Sequence, residues 1–98
     1  MEGSGTDIPR EKIDVFAVVA VMVDQMSAIA WQKLGLQPDW GTGQIEKDLN
    51  QAKVAIDITT HLSTFIEPTL DEDDKSKLRN LIRDLRLNFV QKSQEPGS

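Results

Sequence analysis

The sequence predicts an all-α protein: a three-helix chain, with helices over about residues 9–34, 48–67 and 70–92, forming a helical bundle completed by dimerisation through helix 1. Three observations carry this prediction. Apolar residues recur at the three- and four-residue spacing of a helix in three separate segments. The segments are divided by Gly, Pro, Asp and Thr in turn-forming combinations. The first segment is apolar around nearly its whole circumference, more than two further helices of a 98-residue chain can cover.

Helix 1 is expected to start near Pro9, which the first turn tolerates, with Asp7 accepting hydrogen bonds from the free amides. It should end at Leu34, because Gly35 can take the left-handed cap conformation and Pro38 prevents continuation. Residues 36–47, LQPDWGTGQIEK, read as a loop built on Pro-Asp and Gly-Thr-Gly turns. Helix 2 opens on a capping box, with Asp48 as N-cap and Gln51 as its third-position partner. It stops before Pro68, since the residue preceding a proline avoids helical geometry. Thr69 and Glu72 form a second box for helix 3, and Asp71 to Asp74 place negative charge where the helix dipole favours it. Residues 1–8 read as a disordered lead, 9–92 as one helical domain and 93–98 as a disordered tail.

The three helices differ in kind. Helix 3 carries a narrow stripe, Leu78, Leu81, Ile82, Leu85 and Phe89, with Leu87 and Val90 outside it. Helix 2 has an apolar arc broader than one neighbour needs, including Val54, Ile58 and Phe65. Its polar stripe is Asn50, Lys53, Asp57, His61 and Thr64. Helix 1 has almost no polar face: from Ile13 to Leu34 only Asp14, Asp24, Gln25, Ser27, Gln32 and Lys33 interrupt it. An exposed apolar surface of that size is rare on a monomer, so helix 1 is expected at the centre of a two-fold homodimer. The expected interface is Val15, Val18, Val19, Met22, Val23, Asp24, Met26, Ile29 and Trp31, with Asp24, Gln25 and Gln32 marking register. The competing reading is a monomeric bundle wrapped tightly around helix 1.

The net charge of −5, from 16 acidic and 11 basic residues, disfavours phosphate backbones and anionic membrane surfaces. Absence of cysteine fits a reducing cytoplasm. The opening residues lack the basic and apolar regions of a signal peptide. The uncharged stretch Val15 to Val23, bracketed by Asp14 and Asp24, falls short of the roughly 20 apolar residues of a spanning helix, so it reads as a buried helix.

Candidate chemistry is sparse. Asp57 and His61 stand four apart, a spacing that could offer two metal ligands on one helix face. With one histidine and no cysteine, an ordinary pair on a solvated face is the favoured reading, and no metal site is assigned. Asp24, inside the most apolar helix, reads as a register device rather than a catalytic acid, because no second catalytic group accompanies it. Lys75, Arg79, Arg83 and Arg86 form a basic flank on helix 3 that could touch an anionic partner or pair with neighbouring acids. Trp31 belongs in core or interface. Trp40 either closes over the helix ends or, with Arg79, Arg83 and Arg86, contacts a partner. No nucleophile is marked by an activating base, and no cofactor motif occurs.

Several segments together resemble a bacterial family, domain-of-unknown-function 1844. They are Ala30-Trp31-Gln32-Lys33-Leu34-Gly35-Leu36, Pro38, Thr42-Gly43, Asp48 to Lys53, Ala55-Ile56-Asp57, Leu85-Arg86-Leu87 and Phe89-Val90, and the resemblance covers roughly Val15 to Gln91. It rests on their order and spacing. Trp40 and Asn88-Phe89 depart from the family's pattern, which favours a basic residue and tyrosine at the latter pair. The resemblance implies a small cytosolic bacterial protein and carries over no site residues. The expectation is a non-enzymatic oligomeric scaffold or regulator acting through protein–protein contacts. The alternatives are a helical nucleic-acid-associated protein and a peripheral membrane protein attached through helix 1.

Overall fold

The structure, a computed structural model, describes residues 12–96; among them are three α-helices and no strand. They are α1 (Val15–Lys33), α2 (Leu49–Ile66) and α3 (Glu72–Ser93), with a 3-10 turn over Glu67–Thr69 before α3. The predicted all-α, three-helix architecture holds. The expected start near Pro9, its Asp7 cap and residues 1–8 lie outside the described residues, as do residues 97 and 98.

Two helix starts differ from expectation, each for a local reason. Lys12 to Asp14 are not helical; Asp14 is the N-cap of α1, its Oδ1 accepting from the Phe16 amide at 3.0 Å. A short carboxylate that captures its own downstream amide sets the boundary there. At α3 the cap is Asp71, accepting from the Asp74 amide at 2.8 Å, rather than Thr69. Thr69 is held in the 3-10 turn that Pro68 opens, and its hydroxyl donates to the Ile66 carbonyl. Leu70 is extended, so a helix cannot begin before Asp71. The cap of α2 is Asp48, as predicted, accepting from the Gln51 amide at 3.1 Å.

The end of α1 also follows the prediction. Gly35 has φ 81°, its amide donates to the Gln32 carbonyl, and the Leu36 amide donates to Trp31. This pair of bonds is the Schellman arrangement, which satisfies carbonyls left free by the helix end. The Asp48 amide then donates to the Lys33 carbonyl at 2.8 Å, so the loop returns the chain beside the end of α1 and starts α2 antiparallel to it.

The core is small and two-part. Ala30 and Leu34 of α1 meet Ala52, Ala55 and Ile56 of α2 and Leu85 of α3, with Trp31, Leu49, Leu81 and Phe89 against them. At the other end Val23, Ile66 and Leu78 form a second cluster with Val19, Ala20, Leu62 and Leu70 around it. Three buried hydroxyls lie among these groups: Ser27, Thr59 and Ser63. Each donates to a carbonyl of its own helix (Asp24, Ala55 and Thr60), so small polar residues pack without losing a hydrogen bond. The helix-wheel argument missed Thr59 and Ser63 as core positions.

Helix α2 packs on both α1 and α3, which share both core clusters although their backbones approach each other only sparsely. The molecule is elongated, 59 × 35 × 18 Å. Its radius of gyration is 17.2 Å, where a compact chain of this length has about 13 Å.

Candidate interaction surface

Helix α3 covers one face of the α1–α2 hairpin and leaves the other open. Along α1 the buried positions are Val23, Ser27, Ala30 and Gln32, and the C-cap Leu34 is buried as well. The N-terminal half fares differently: Val15 is 66% exposed, Val18 47%, Val21 53% and Met22 44%. Phe16 lies on the same side of α1 as Val19, Ala20 and Val23, yet it is half exposed, because no neighbouring helix covers it. This half of α1 is an overhang.

The outer face of α2 is apolar too, with Val54, Ile58 and Phe65 exposed. Between the helices runs an open groove of about 440 Å³, with Met26, Ile29, Val54 and Ile58 on its walls and Lys33 at its loop end. No charged side chain lies between Asp14 and Lys33 on the stripe Val15, Val18, Met22, Gln25 and Ile29.

The predicted interface residues divide into three groups. Val15, Val18 and Met22 are exposed on the outer stripe, with Ile29 half-buried at the groove. Val19, Met26 and Trp31 are partly spent on the protomer's own core, and Val23, 3% exposed, belongs to it entirely. Asp24 points to solvent on the far side of the stripe, beside a recess it shares with Lys77. Of the three register candidates only Gln25 is exposed on the outer stripe. Gln32 is buried and its Oε1 accepts from the Trp40 amide at 2.9 Å.

That bond anchors the connecting loop, whose organisation the sequence did not disclose. Asp39 is its hub. Its Oδ1 accepts from the Gly41 amide at 2.7 Å, its Oδ2 from Lys33 Nζ at 3.1 Å, and its backbone pairs with Gln44. The Gly41 amide, with Lys33 beside it, holds the Asp39 carboxyl below the usual carboxylate range. Trp40 is 67% exposed and does not close over the helix ends; Leu36 and Ile45 are exposed on the same loop.

The basic flank of α3 is largely neutralised in place. Arg79 reaches Glu67 at 2.7 Å, Arg83 reaches Asp84 at 3.4 Å and Lys75 reaches Glu72 at 3.5 Å. Arg86 bridges to α2, donating to Thr60 Oγ1 at 2.9 Å and lying 3.5 Å from Asp57. Asp57 is thus shared by Arg86 and Lys53. His61 makes an edge contact with Phe65, ring centres 5.2 Å apart. Asp57 and His61 are therefore taken up in separate contacts, and no group of three or more acidic, His or Cys residues among the described residues is arranged to hold a metal.

The apolar character of α1 extends beyond the interval Val15–Val23: by length and composition the helix, 19 residues, is long and apolar enough to cross a membrane, and 22% of its most apolar 18-residue stretch is buried. A single carboxylate, Asp24, does not end the apolar character of the helix. Core helices of soluble proteins meet the same criterion, and here the C-terminal half of α1 packs on α2.

Fold and surface together define a small three-helix protein whose most distinctive feature is an uncovered apolar hairpin face. The family described as Domain of unknown function (DUF1844) matches residues 13–91, and the chain belongs to it. No curated protein and no solved structure matches the chain.

Proposed function

We propose that this protein is a non-enzymatic, cytoplasmic homo-oligomer, a dimer in its simplest form, that scaffolds or regulates through protein–protein contacts. The observation that carries this reading is the exposed apolar stripe on α1, continued onto α2 at Val54, Ile58 and Phe65. Such a contiguous face costs free energy in water and is offset when a partner covers it. The open face of the hairpin supports the same reading, since helices of a partner would complete the packing on the side that α3 leaves uncovered. Light scattering coupled to size exclusion at micromolar concentration tests it: twice the chain mass is expected, and a clean monomer mass rejects it.

A second reading draws on the exposure of α1 across its membrane-length apolar stretch. In it, the overhang exchanges protein contact for lipid at a membrane surface. Flotation with neutral and anionic liposomes separates the two, because the homo-oligomer stays at the bottom of the gradient with both.

A further inference from the structure

We infer that the groove between α1 and α2 receives the N-terminal half of α1 from a second copy, running antiparallel, so that one two-fold axis covers both overhangs and both grooves. This rests on the homo-oligomeric reading above and specifies its geometry.

The overhang and the groove are complementary features in opposite halves of the same helix. One offers Val15, Val18 and Met22 to solvent; the other is walled by Met26, Ile29 and Ile58. Their lengths agree: Val15 to Met22 and Met26 to Lys33 each span seven steps, about 10.5 Å of helix. An axis across the helices places each overhang in the other copy's groove, a closed, isologous contact. It is a helix-in-groove mode of binding, with the docking helix supplied by an identical chain.

Register follows from spacing and charge. Positions 15, 18, 22, 25 and 29 alternate steps of three and four, the seam of a left-handed helix pair. Antiparallel pairing sets Val18 of one copy against Ile29 of the other, and Met22 against Gln25. The same register brings Asp14, at the tip of the overhang, to Lys33, at the end of the groove, where it would share the ammonium with Asp39. A parallel pairing would instead oppose Asp14 with Asp14 and Lys33 with Lys33. In a chain of net charge −5, an uncharged stripe with opposite charges at its two ends is where two copies can approach. Val15, Val18, Met22, Val54, Ile58 and Phe65 are all exposed on the hairpin face, a spread over two helices of the kind that a standard interface, roughly 800 Å² from each partner, would cover.

The chain has no cysteine, so single cysteines report the geometry cleanly. Val18→Cys and Ile29→Cys proteins are prepared separately, first confirmed by light scattering to keep the mass of the unmodified protein, then treated with a short bismaleimide alone and as a mixture. The mixture is expected to give at least tenfold more cross-linked dimer than either protein alone. A dimer mass with self-cross-linking of Val18→Cys overturns the antiparallel register and leaves the homo-oligomer standing; a monomer mass for the unmodified protein overturns both. Met22→Asp gives an independent check. It should keep its helical circular dichroism and raise the dimer dissociation constant at least 100-fold, and an unchanged dimer mass overturns the groove as the docking site.

Discussion

The two halves of α1 differ in composition and meet opposite fates: Val15 to Val23 is wholly apolar, whereas Asp24, Gln25, Ser27, Gln32 and Lys33 all fall in the second half. Val15, Val18 and Val21 stand about half exposed or more, while Val23, Ala30 and Leu34 are at 3% or less. The more apolar half is the more exposed one, so burial here follows the neighbours rather than the composition. From Val23 onward α1 is backed by α2, and the loop bonded through Asp48 to Lys33 fixes how closely the two helices lie. Before Val19 no helix of the protomer covers it. An apolar segment can thus be covered by its neighbours at one end and left open at the other.

Mutations should break this comparison unequally. The largest effect falls in the covered half: Leu34→Ala, at a fully buried position, should cost about 2–5 kcal/mol of unfolding free energy in urea titration. Next comes the turn that holds the halves in place. Gly35→Ala forces a side chain into φ 81° with Lys47 Cβ 3.2 Å away, and should cost roughly 1–2 kcal/mol on the same assay. Asp48→Ala removes the N-cap of α2 and should cost roughly 0.5–2 kcal/mol. In the uncovered half, Val18→Ser should change protomer stability by less than about 0.5 kcal/mol when measured at concentrations where the chain is monomeric. An equal loss at Val18 and Leu34 would show that the two halves are not distinct.

The smallest effect concerns pH and sharpens the role of the loop. The Asp39 carboxyl is held below its ordinary range by the Gly41 amide and Lys33. A group whose pKa is lowered on folding contributes stability above its unfolded pKa and loses it as pH falls through the folded value. The loop should therefore keep its bonds while ordinary exposed carboxylates protonate, and release them only at lower pH. The side-chain carboxyl resonance of Asp39, followed by NMR titration, checks this; a midpoint in the ordinary range would count against the Asp39 hub.

Much of the fold was legible because it depends on local rules. Asp48 and Gly35 sit where a cap chemistry and a left-handed conformation demand them, and no distant residue can change that. The narrow stripe of α3 was also readable, with Leu78 and Leu85 buried and Leu87 and Val90 exposed. Thr69 misled because Pro68 recruits it into a 3-10 turn, and two residues later Asp71 offers an equally good cap. Gln32 misled more deeply. On a wheel it is a polar interruption of an apolar helix; in the fold its amide oxygen anchors Trp40 of a loop eight residues on.

The sequence by itself determined the number of helices, the cap chemistry of α2, the end of α1 and an excess of apolar surface, since each follows from residue type and spacing along one segment. Only the tertiary structure decided which part of that excess is covered. Burial depends on where α2 and α3 end relative to α1. That alignment is set by loop bonds and core packing between residues far apart in the chain, so the uncovered face became a defined stripe and groove only once the helices were placed side by side.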